Sequence, residues 1–197
     1  MATTALAVPG PLSVVTIADR RVDRPAWRTM LGWPEAGDEH VPFAAANAHQ
    51  RNASAAHLDD AVARAARPVL LVAEGASCFA AAWWARLSPS SYVERVAGAL
   101  LFNPISEDER EVADNMRTFA SPRSVLPFPS ILLDRDPVSD RLRTIANDWG
   151  SRLADRGDLV RLAAPRVSPW RQAQRMIERY TAAVVKRDIR TTRERLR

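Results

Sequence analysis

Residues 67–85, RPVLLVAEGASCFAAAWWA, set Glu74, Ser77 and Cys78 around a turn of small residues. Acyl transfer by a side chain needs an oxygen or sulfur nucleophile, a base within hydrogen-bond reach and a group that orients the base. The best place for such a nucleophile is the sharp apex between a buried strand and a helix. Here the strand is Val69–Ala73, and the residue at the expected apex is Gly75, which has no side chain to attack with. Ser77 matches a G-x-S pattern with Gly75 in front, but Phe79 stands where a second small residue belongs. Keeping the strand in register puts Ser77 two residues inside the helix, as a first-turn residue bonding locally. Cys78 would need a basic neighbour to act as a thiolate, whereas Glu74 opposes its formation. The histidines are His40, His49 and His57, and all precede the turn. One cysteine and three scattered histidines make a poor metal site, so neither a metal nor a cofactor is expected.

Several elements are needed to position that turn. LSVVTIA (12–18) reads as a strand bounded by Pro11, and VPFAAA (41–46) as a weaker one. ASAAHLDDAVARAA (53–66) carries apolar residues at Ala56, Leu58, Val62 and Ala65, the spacing of an amphipathic helix that Pro68 stops. VAGALLF (96–102) and FPSILLD (128–134) are continuous apolar runs, as strands covered on both faces require. Residues 103–127 read as loop with one helix, and 138–154 as a helix with Leu142, Ile145, Trp149 and Leu153 on one face. DLVRLAA (158–164) is expected to be the last strand, and a closing helix from Trp170 carries Ala173, Met176, Ile177, Tyr180 and Val184. Strand and helix alternate with strands that lack polar alternation. This predicts a three-layer α/β domain with a mostly parallel central sheet flanked by helices. Sites in such sheets lie beyond the carboxyl ends of the strands, here the turns after Ala73, Phe102, Asp134 and Ala164.

The 197 residues suit one domain, assigned to 1–187, with a basic tail over 188–197. The net charge is +5, and the last twelve residues, KRDIRTTRERLR, contribute most of it with six cations against two anions. The remainder is near neutral and no aromatics interleave the arginines, so nucleic acid is not the expected partner. No segment reaches the roughly 18 apolar residues of a membrane span. The opening MATTALAVPGPLSVV lacks a basic leader and is broken by Pro9, Gly10 and Pro11, so a cytoplasmic location is expected.

RPVLLVAEGASCFAAAWWA, VAGALLFNP, LPFPSILLDRDP and ANDWGSRLADRGDL together resemble the small serine hydrolases of the retinoblastoma-binding protein 9 family, a compact α/β-hydrolase group. The similarity spans roughly residues 55 to 185 and is weak before residue 55. The resemblance implies an α/β-hydrolase-like fold and an elbow similar to His-Ser-Leu-Gly-Cys. The same positions here hold Glu74, Gly75, Ala76, Ser77 and Cys78. It also implies an orienting aspartate, which falls on Asp136 in DRDP, and a histidine after the last strand, where this chain has AAPRVSPW (163–170). The family's Pro-Gly turn after the first strand, which helps form an oxyanion hole, is replaced by the charged IADRRVDRPAW.

Three functions compete. The first is a catalytically silent relative acting as a binding or assembly subunit, through a protein partner or self-association. The C-terminal helix and basic tail are its docking device, with Ile189 and Leu196 recurring seven apart among arginines. The second is a hydrolase of small esters or amides with Ser77 as displaced nucleophile and Asp136 as its partner. The third is a small-ligand sensor whose remnant pocket comprises Glu74, Gly75, Ala76, Asp136 and Arg166. Glu74 is expected to bond a ligand, to pair with Arg135 or Arg166, or to face water. Of Trp83 and Trp84, at least one is expected in the core, while Trp27 and Trp33 either line a cleft or plug a loop.

Overall fold

The computed structural model describes residues 12–19, 39–105, 109–119, 124–134 and 139–154. The elements in chain order are β1 (Ser13–Asp19), β2 (Glu39–Phe43), α1 (Ala48–Arg64), β3 (Val69–Glu74), α2 (Ala76–Leu87) and a single turn, α3 (Ser90–Val93). They continue as β4 (Val96–Phe102), α4 (Glu109–Thr118), β5 (Ser130–Leu133), α5 (Asp140–Trp149) and β6 (Arg152–Leu153). The strands form one sheet in the order β2-β1-β3-β4-β5-β6, and every pairing is parallel. This is the α/β architecture that the unalternating apolar runs predict, and β3 is buried along its whole length near the centre of the sheet.

Burial on both faces follows from the pleat. Val15, Ile17, Leu71, Ala73, Ala99, Leu101 and Leu132 enter one core with α1, α2, α4 and α5. The alternate residues Val14, Leu70, Val72, Leu100, Ile131 and Leu133 face the other way and are buried as well. Inside the first core, Trp84 and Trp149 are 1% exposed, and the Phe79 ring meets Trp149 edge-on at 5.4 Å. Trp84 is therefore the expected core tryptophan, its indole N–H donating to Asp59 at 2.7 Å.

Several element bounds differ from the sequence expectation for local reasons. Helix α1 starts at Ala48 rather than 53, because Asn47 caps it by accepting from the Gln50 amide at 2.9 Å while Gln50 Oε1 accepts from the Ala46 amide. Strand β2 runs from 39 to 43 rather than 41 to 46; it tolerates Pro42 because it is an edge strand. The helix expected over 138–154 ends at Trp149. Ser139 caps its start, and Gly150 closes it in the left-handed conformation, φ 62° and ψ 24°. Leu153 accordingly belongs to β6, not to a helical stripe, and pairs with Leu132. The helix anticipated somewhere in 103–127 is α4. The expected strand 158–164, the closing helix and the tail lie outside the described residues, as do Trp27 and Trp33.

Candidate functional site at the end of the central strand

A parallel sheet brings all its carboxyl ends to one edge, and there Glu74–Gly75, Phe102–Asn103 and Leu133–Asp134 stand side by side. Gly75 occupies the apex between β3 and α2 with φ 63° and ψ −134°, a conformation open mainly to glycine. Its amide donates to the Phe102 carbonyl at 2.9 Å, and its carbonyl accepts from the Cys78 amide at 3.0 Å. A Cβ built at position 75 would find no atom of the described residues within 4 Å. Among the described residues, nothing crowds the outer side of this bend.

Ser77 is the second residue of α2, as the strand register predicts, and is fully buried. Its Oγ accepts from the Glu74 amide at 2.9 Å and lies 2.8 Å from both the Glu74 and Ile17 carbonyls, to which its hydroxyl donates. The residue pins the start of α2 to β3 and β1. Beside it, Cys78 is wholly buried, with Sγ donating to the Phe102 carbonyl at 3.4 Å. Burial first, and the Glu74 charge second, push its thiol well above the ordinary range, outweighing the opposing effect of the Phe102 hydrogen bond.

Glu74 is 6% exposed, so the alternative in which it faces water does not hold. Its carboxylate accepts from Asn103 Nδ2 at 3.3 Å. Asn103 itself has φ 45°, the described non-glycine residue with positive φ, and its amide extends the ladder to the Leu133 carbonyl at 2.8 Å. Sequence reasoning located the turn after Phe102 but did not single out Asn103. The usable signal was an asparagine at a strand end, since asparagine tolerates this conformation better than most residues. Asp136, Arg135 and Arg166 lie outside the described residues. His40 is on β2, with Nδ1 2.8 Å from Thr16 Oγ1. Among the described residues no cluster of histidine, cysteine or carboxylate side chains could hold a metal, and no helix is long and apolar enough to cross a membrane.

The profile of the serine hydrolase family matches residues 26–179, most of the chain and the whole strand–elbow–helix unit. The chain belongs to the serine hydrolase family. The fold agrees: a crystal structure of a YdeN-like hydrolase from Pectobacterium atrosepticum is similar with a TM-score of 0.51, at 18% identity, covering 74% of this chain and 76% of that one. A search of curated proteins gave no significant match. Gly75 stands at the apex between β3 and α2, inside the stretch that the profile matches.

Proposed function

We propose that this serine hydrolase family member is of the retinoblastoma-binding protein 9 type and is catalytically silent, serving as a binding or assembly subunit. The observation that carries the reading is Gly75, which holds the elbow conformation with no side chain to attack with and no described residue where a nucleophilic side chain would stand. The base is lost as well: the histidines are His40, His49 and His57, and residues 163–170 contain none. Loss of triad members lowers turnover by something like four to six orders of magnitude.

The hydrolase alternative rests on Ser77, whose surroundings oppose it. A nucleophile must meet a substrate carbonyl and surrender a proton to a base. The Ser77 hydroxyl is buried and spends its proton on backbone carbonyls. Incubating the full chain with a fluorophosphonate probe and mapping the peptides is expected to leave every serine unmodified. Labelling of Ser77 would replace the silent reading with the hydrolase one.

The sensor reading draws support from the Glu74–Asn103 pair, a buried polar contact at the strand ends beside the space over Gly75. It requires a polar small molecule whose saturable rise in melting temperature is lost in Glu74→Gln. Absence of such a ligand from a broad thermal-shift screen leaves assembly as the better supported role.

A further inference from the structure

We draw no further inference here: the strongest candidate, the open groove at the amino ends of β3 and β4 lined by Arg67, Glu94 and Arg95, carries nothing because the Arg95 guanidinium is engaged with the Val62 and Ala65 carbonyls at the end of α1 and nothing in the structure shows what the groove would hold.

Discussion

At Gly75 backbone geometry and side-chain chemistry separate. The φ of 63° is a strain that a serine hydrolase accepts in order to expose its nucleophile, and glycine adopts it at little cost. Among the described residues a Cβ at Gly75→Ser would meet no atom within 4 Å, so the penalty expected there is conformational. A loss of about 1–3 kcal/mol in chemical denaturation is expected; on the silent reading proposed above, esterase turnover is expected not to appear, which a p-nitrophenyl ester assay checks. Cys78 offers a pH test at the same scale. Its raised thiol pKa keeps the folded form protonated where the unfolded chain ionises, so its stabilising effect is complete below the unfolded thiol pKa. It is lost progressively as pH rises above about 8.5. The stability difference between the parent chain and Cys78→Ala is expected to shrink between pH 8 and 10 in urea melts, with a limiting slope of about 1.4 kcal/mol per pH unit. The glycine at the strand-to-helix turn was legible from residue order, and the buried setting of Cys78 from the family resemblance. The contact of Glu74 with Asn103 was not, because strand neighbours separated by 29 positions become adjacent only once register is set.

Among the elements, helix α2 depends on Ser77 and helix α5 on Gly150. Ser77→Ala removes the acceptor of the buried Glu74 amide and a donor to the Ile17 and Glu74 carbonyls. A destabilisation of about 1–3 kcal/mol is expected, read as a lower denaturation midpoint at an unchanged slope. At Gly150 a Cβ would come within 2.7 Å of Val125 Cγ1, and the left-handed φ disfavours any side chain. Gly150→Ala is therefore expected to cost at least about 1 kcal/mol, measured in the same way. The contrast with position 75 is informative, because among the described residues one positive-φ glycine is crowded and the other is not. Helical spacing at Leu142, Ile145 and Trp149 identified α5, yet the same spacing carried the expected helix through Leu153. Apolar period alone cannot show that Gly150 terminates the stripe and releases Arg152–Leu153 to pair beside β5.

For the whole molecule, buried β-runs made the parallel sheet legible, whereas a partner is recorded in no periodicity. Charge distribution is the remaining guide. Most of the +5 resides in residues 186–197, so a partner met through that tail should be acidic and its binding should weaken with salt. Deletion of residues 188–197 is expected to leave the thermal midpoint within experimental error, because those residues are assigned to docking rather than to the core. The same deletion is expected to abolish a higher-mass species or a captured acidic partner in sedimentation velocity at low salt. Raising the ionic strength from about 0.05 to 0.5 M shortens the screening length several-fold and should mimic the deletion. If the intact and shortened chains sediment alike at both salt concentrations, and neither captures a partner, the tail plays no part in assembly. The silent-subunit reading would then have to rest on a surface of the described domain instead.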